Sequence, residues 1–234
     1  MPVQSLFPDL SWRGLYRAGA VSAAVATLLY VLGLVLVVAT EAPPASPTGA
    51  QMLAYVDEHR ALYYLKQLLW IVPSLPMMVV SLALAVAGWR ASRSLALVAG
   101  VVAVTSWAGS FVWLTSGEGS LAMPLLADGH IEAVTDAERA PFVAGAEMLL
   151  AINDMATPLG VQQTVGILLL GLLMMRGMFP RGLAWLTVAT GVLGIVSESF
   201  RDQLGAAYSV YGVLLFAWLV WVAIVLWRLG QQET

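Results

Sequence analysis

The sequence predicts an all-α integral membrane bundle of six transmembrane helices. Of its 234 residues, 60% are hydrophobic and 11% are charged, whereas a soluble domain carries about 25% charged residues. Six apolar runs are each long enough to cross about 30 Å of hydrocarbon as a helix. Only helices and closed barrels satisfy their backbone in lipid, and uninterrupted apolar runs of this length do not alternate as barrel strands do.

The six spans form one predicted transmembrane domain over residues 1–234. They cover about 17–40, 64–88, 95–115, 142–175, 183–203 and 206–227. The first apolar run is longer than that of a signal peptide and is therefore expected to be retained. The fourth run is longer than one crossing needs, which predicts a polar outer part and an apolar inner part.

Basic residues predict that both termini are cytoplasmic, because they are enriched on the inner side of a membrane. The inner set is Arg13, Arg17, Arg90, Arg93, Arg176, Arg181 and Arg228, and the outer set is Arg60, Lys66, Arg139 and Arg201. Two long extracytoplasmic loops, at about 41–63 and 116–141, are then expected to be partly helical. Thr48 has the position of an N-cap, and Thr135 and Glu138 have the spacing of a capping box.

The fourth span carries the polar stretch "LLAINDMATPLGVQQTVG". At 100° per residue, Glu147, Asp154, Pro158 and Gln162 fall within about 80° of one another. An acid that faces lipid is costly, so this face is expected to look into the bundle or into a wet cavity. Pro158 is expected to kink the helix.

Two other spans bring polar residues to the same outer level. On the second span, Tyr63, Lys66 and Trp70 share one stripe. On the fifth, Gly191, Gly194 and Glu198 share a stripe, and Arg201 is spaced to pair with Glu198. The predicted ligand-binding pocket therefore contains Lys66, Glu147, Asp154, Gln162, Glu198 and Arg201, with Tyr63 and Trp70 as walls.

A purely structural interpretation competes with the pocket. Charges near span ends anchor helices, Lys66 and Arg201 pair with acids, and glutamines bond neighbouring helices. No catalytic, cofactor or metal site is predicted, and Asp128, His130 and Glu132 are interpreted as a solvated loop cluster. The scattered basic residues predict no nucleic-acid partner.

Three functions follow as hypotheses. The first is binding or transport of a small polar solute or ion through the outer pocket. The second is a structural or partner-binding membrane subunit, with a homodimer through the glycine-bearing fifth span as one form. The third is a membrane-embedded enzyme that uses Asp154 or Glu198 as a general acid or base.

The segment "VGILLLGLLMMRGMFPRGLAWLTVATGVLGIV", residues 165–196, resembles domain-of-unknown-function family 4386. The resemblance lies in a glycine-bearing apolar helix, a short turn with arginines at both ends, Arg176 and Arg181, and a second glycine-bearing helix. The turn is one residue shorter than the family's. The opening "WRGLYRAGAVSAAVATLLYVLG" is also similar. The resemblance implies a six-helix protein of the bacterial plasma membrane and no particular activity.

Overall fold

The computed structural model describes residues 9–44, 46–113, 115–116, 119–154, 157–177 and 179–232. Some side chains within these ranges lie outside this description, namely those of Trp113, Thr115, Ser116, Asp154, Thr157, Asp202 and Ala206. The described residues are mostly helical. The helices are α1 (Arg13–Ala39), α2 (Gly49–Glu58), α3 (Arg60–Ile71), α4 (Ser74–Ala87), α5 (Arg93–Trp113), α6 (Met123–Glu132), α7 (Asp136–Asp154), α8 (Thr157–Met175), α9 (Arg181–Ser199), α10 (Arg201–Leu204) and α11 (Tyr208–Gln231). Two short strands, β1 (Thr115–Ser116) and β2 (Gly119–Ser120), pair antiparallel.

In the part of the chain that the structure describes, six helical segments are long and apolar enough to cross a membrane. They are Leu10–Ala39, Arg60–Ala87, Arg93–Val112, Asp136–Met175, Arg181–Ser199 and Tyr208–Gln231. The predicted helical class and the six candidate spans are thereby confirmed. The second span consists of two helices, α3 and α4, with Pro73 as the N-cap of α4.

The fourth span is described as two parts, α7 up to Asp154 and α8 from Thr157, and residues 155 and 156 between them lie outside the described residues. The predicted kink at Pro158, which follows directly on these residues, stays a prediction. With 19 residues, α8 is about 28 Å long, which is long enough to cross the hydrocarbon.

The contacts divide the chain into two compact units. Unit 1 comprises Met1–Leu28, Pro73–Gly109 and Thr157–Thr234, and unit 2 comprises Leu29–Val72 and Ser110–Ala156. Unit 1 therefore contains α4, α8, α9 and α11, whereas unit 2 contains α2, α3, α6 and α7.

The pairing of α8 with α9 is the most extensive helix contact in unit 1. A Cβ atom added to Gly191 would lie 2.6 Å from the Cα atom of Leu168, and one added to Gly171 would lie 2.8 Å from the backbone nitrogen of Val188. Gly194 is packed as tightly against Thr164. Small residues thus let the two backbones approach closely, as predicted for the fifth span.

A buried polar contact joins α9 to α11. The Thr187 hydroxyl donates to the carbonyl of Leu183 at 2.7 Å and accepts a hydrogen bond from Trp218 Nε1 at 3.0 Å. Both side chains are fully buried. The indole N–H of Trp218 is therefore satisfied in an apolar interior, where an unpaired donor is costly.

Unit 2 is built on short helices around a small apolar core. The core contains Met52, Leu53, Val56, Tyr63, Met123, Ala127 and Ala146. Thr48 is the N-cap of α2 and a capping box starts α7 at Thr135, both as predicted, and Gln51 completes a second capping box at Thr48. Helix α6 is a correction, because the sequence suggested a solvated loop at Asp128–His130–Glu132 and the structure makes these residues helical.

Replacing Gly191 by alanine is expected to destabilise the protein by about 1–3 kcal/mol, since the new methyl group meets the Leu168 backbone, which cannot move aside. The matched control is Gly212→Ala on α11, where nothing lies within 4 Å of the added Cβ. It should be neutral or stabilising by up to about 1 kcal/mol. Denaturant unfolding in micelles measures both variants, and equal unfolding free energies would contradict the close packing.

Candidate functional site

The residues of the predicted pocket fall into two groups, one in each unit. Tyr63, Lys66, Trp70 and Glu147 belong to unit 2, and Gln162, Glu198 and Arg201 belong to unit 1. Asp154 ends α7, and its side chain lies outside the described residues. A single pocket that contains the whole set stays a prediction, and each group is described here by itself.

Glu198 lies at the end of α9 and is only 5% exposed. Its Oε2 accepts a hydrogen bond from Arg201 Nη2 at 3.0 Å, so the predicted ion pair is confirmed. Its Oε1 accepts a hydrogen bond from the Tyr208 hydroxyl at 2.7 Å. Tyr208 also accepts from Arg201 Nη2 at 3.1 Å, and the guanidinium carbon lies 5.1 Å from the centre of the tyrosine ring.

The Glu198 carboxylate is closed off on another side by α8. A Cβ atom on Gly160 would lie 2.5 Å from Glu198 Oε2, so the α8 backbone lies directly against the carboxylate. Burial lowers the pKa of Arg201, but the neighbouring Glu198 carboxylate and Tyr208 raise it by more, and the net shift is upward. The guanidinium therefore keeps its charge, and this cluster joins the end of α9 to the start of α11.

The described members of the polar face in the fourth span are all exposed: Glu147, Pro158 and Gln162. Glu147 lies on an open groove, and the orientation of the whole face towards the bundle or a wet cavity stays a prediction. The face of α8 that packs against α9 instead carries Gly160 and Thr164. Small side chains permit the closer helix contact, so they take the inner face and the amide is turned outward.

Lys66 is the only lysine in the chain, and it is 7% exposed. Its ammonium donates to the backbone carbonyl of Glu41 at 3.1 Å, and the Tyr55 hydroxyl donates to the same oxygen at 2.9 Å. Among the residues that the structure describes, no carboxylate lies within 4.0 Å of Lys66 Nζ. The expected pairing of Lys66 with an acid is therefore not found in the described part of the chain.

Tyr63 fixes the β hairpin to α3. Its hydroxyl donates to the Ser120 carbonyl and accepts from the Ser120 N–H, both at 3.0 Å, and the tyrosine is 2% exposed. Gly119, with φ of +147°, passes so close to this hydroxyl that any Cβ would collide with it. Sequence reasoning placed Tyr63 correctly on the stripe of Lys66 but missed its partner, which is 57 residues away.

Trp70, the other predicted wall residue, packs beside Tyr30 with the ring centres 5.7 Å apart. Its Nε1 is buried and has no hydrogen-bond partner among the described residues. Trp70 thus lies on the α3 stripe as predicted, but it packs on α1.

Two cavities lie in unit 2. A small one of about 30 Å³ is lined by Val37, Ala42, Pro43, Tyr55, Tyr63, Lys66 and Gln67. An open groove of about 460 Å³ is lined by Ala50, His130, Asp136, Arg139, Ala140, Val143, Ala144 and Glu147. The small cavity therefore brings two predicted site residues, Lys66 and Tyr63, to one place, and Glu147 lies on the groove.

The fold and these polar groups define a helical multi-pass membrane protein with ionisable side chains buried in both units. No family model, no curated protein and no solved structure matches the chain.

Replacing Tyr63 by phenylalanine is expected to destabilise the protein by about 1–3 kcal/mol, because both backbone groups of the buried Ser120 lose their partner. Tyr64→Phe is the control, since the neighbouring tyrosine is only partly buried and should change stability by no more than about 0.5 kcal/mol. Thermal unfolding and exchange of the Ser120 amide hydrogen measure the effect. Unchanged protection of that amide in Tyr63→Phe would contradict the contact.

Proposed function

We propose that the protein binds a small polar solute or ion and carries it across the bacterial plasma membrane. Lys66 is the observation that supports this function best. A buried charge is normally paired, and an ionisable group within a membrane span is by default a candidate for a functional site. Lys66 is buried in an apolar span, lines a cavity and has no carboxylate partner among the described residues.

The proposed orientation places both termini in the cytoplasm. The arginine-rich ends at Arg13, Arg93 and Arg228 then lie inside, in agreement with the preference of basic residues for that side. Residues 41–59 and 114–135 lie outside in this orientation, and Lys66 is reached from the outer surface. The proposed location in the bacterial plasma membrane is supported by the resemblance to domain-of-unknown-function family 4386, which implies a bacterial membrane protein.

Lys66→Met is expected to abolish solute-dependent uptake into proteoliposomes. The probes are radiolabelled chloride, sodium and glycine, which cover an anion, a cation and a zwitterion. At least one probe should enter the wild-type proteoliposomes faster than empty liposomes. In the variant this excess uptake rate should be at least about tenfold lower, since removing a buried charged partner costs about 2–5 kcal/mol of binding.

Arg139→Gln is the matched control for this experiment. It also removes one positive charge from unit 2, but Arg139 is 42% exposed and lines the groove instead of the small cavity. It should leave uptake unchanged. If none of the three probes enters faster than in empty liposomes, and none shifts the unfolding temperature, the binding function is refuted.

A second function, that of a partner-binding subunit, is favoured by Gln162. This side chain is exposed on α8, about 20 Å along the helix from Arg176, and an unpaired amide in hydrocarbon is costly. A partner helix would satisfy it. The glycine stripe of α9 is already occupied by α8, so a homodimer would use the Gln162 face of α8 instead.

Gln162→Leu is expected to dissociate such a partner or dimer. Subunit counting by single-molecule photobleaching in liposomes measures the oligomeric state. Leu172→Ala, an exposed apolar position on the same helix, should leave the state unchanged. A wild-type monomer that copurifies with no other protein would remove this second function.

The enzymatic alternative gains no support from Glu198, since both of its oxygens are already hydrogen-bonded within the chain. Asp154, the other proposed acid or base, has its side chain outside the described residues. The enzyme therefore stays an untested alternative.

A further inference from the structure

Among the described residues, the hydrogen bonds of Lys66 do not compensate its charge. An ammonium has three N–H donors, and among the described residues one of them reaches an acceptor, the Glu41 carbonyl. That oxygen also accepts from Tyr55, so both of its lone pairs are in use. A carbonyl shared in this way satisfies a donor but does not neutralise a positive charge.

Glu41, whose backbone carbonyl accepts from Lys66, does not supply a counter-charge through its side chain. The Glu41 carboxylate is 79% exposed and lies 4.0 Å from His59 Nε2. Its backbone, and not its side chain, meets Lys66. The carboxylate is thus turned towards solvent and His59, and the ammonium remains beside the cavity without an anion from the described chain.

The cavity limits what can bind there. Its volume is about 30 Å³, and a single water needs about 10–15 Å³ on the same measure. There is room for a monatomic ion or a pair of waters, whereas an amino acid or a sugar does not fit. The walls at Val37, Ala42 and Pro43 are apolar, and a low local dielectric strengthens the attraction between an ammonium and an anion.

We propose that Lys66 binds a small inorganic anion, of the size of chloride, in the cavity between α1, α2 and α3. This inference rests on the proposed binding function and names its ligand class. Tyr55 and Tyr63 already donate to Glu41 and Ser120, so Lys66 provides the charge and the cavity provides selection by size.

The test titrates sodium chloride against sodium gluconate at constant ionic strength in detergent solution. The unfolding temperature, followed by fluorescence of the nine tryptophans, is the readout. Chloride should raise it for the wild type and for Arg139→Gln, because a ligand that binds only the folded state stabilises it. In Lys66→Met the chloride affinity should fall at least about tenfold, so the temperature should no longer respond.

Lys66→Met is also expected to unfold at or above the wild-type temperature in gluconate, because it replaces a buried unpaired charge by an apolar side chain of similar length. Bromide soaked into wild-type crystals provides a measurement that needs no variant. An anomalous scattering peak should lie beside Lys66 Nζ, and a data set with no peak there overturns the proposal.

The outcomes separate the two proposals. If glycine stabilises the wild type but not Lys66→Met, and chloride stabilises neither, the solute-binding function stands and the anion is wrong. If none of chloride, sodium and glycine has an effect that depends on Lys66, both fail. Equal unfolding temperatures of the wild type in chloride and in gluconate overturn the anion site in either case.

Discussion

The close approach of α8 and α9 is the contact on which the rest of unit 1 depends. Gly171 on one helix and Gly191 on the other remove the side chains that would hold the backbones apart. Once this contact is made, the rotation of α8 is fixed. Gly160 then lies against Glu198, and Gln162, two residues further on, is turned outward. Helix association in lipid relies on such packing, because apolar side chains gain little there by leaving lipid.

In unit 2, hydrogen bonds from side chains of α2 and α3 hold neighbouring segments together, whereas in unit 1 the close packing of small residues does so. Its short helices and hairpin leave backbone groups without partners inside their own elements, and buried backbone groups must be satisfied. Tyr63 bonds both backbone groups of Ser120, and Tyr55 and Lys66 bond the carbonyl of Glu41. These hydrogen bonds give the polar side chains of α3 a structural role that needs no ligand.

The sequence was informative wherever a contact is local. The six candidate spans follow from hydropathy, and the Thr135 capping box and the Glu198–Arg201 pair follow from spacings of three residues. Partners distant in the chain were missed, because no periodicity connects Tyr63 with Ser120. The face of α8 that packs on α9 could not be predicted from the polar stripe of Gln162, because close packing at Gly160 and Thr164, and not polarity, decides it.

Lys66 and Glu198, the charged residues that are buried in the described part of the chain, differ in whether a counter-charge lies beside them. Glu198 has Arg201 at 3.0 Å and Tyr208 at 2.7 Å, so its charge is compensated and its oxygens are occupied. This cluster connects α9 to α11 and needs no further partner for the Glu198 carboxylate. Lys66 donates to the backbone carbonyl of Glu41 but has no carboxylate within 4.0 Å among the described residues. Because a buried charge without a counter-charge is costly, the ligand is sought at Lys66 and not at Glu198.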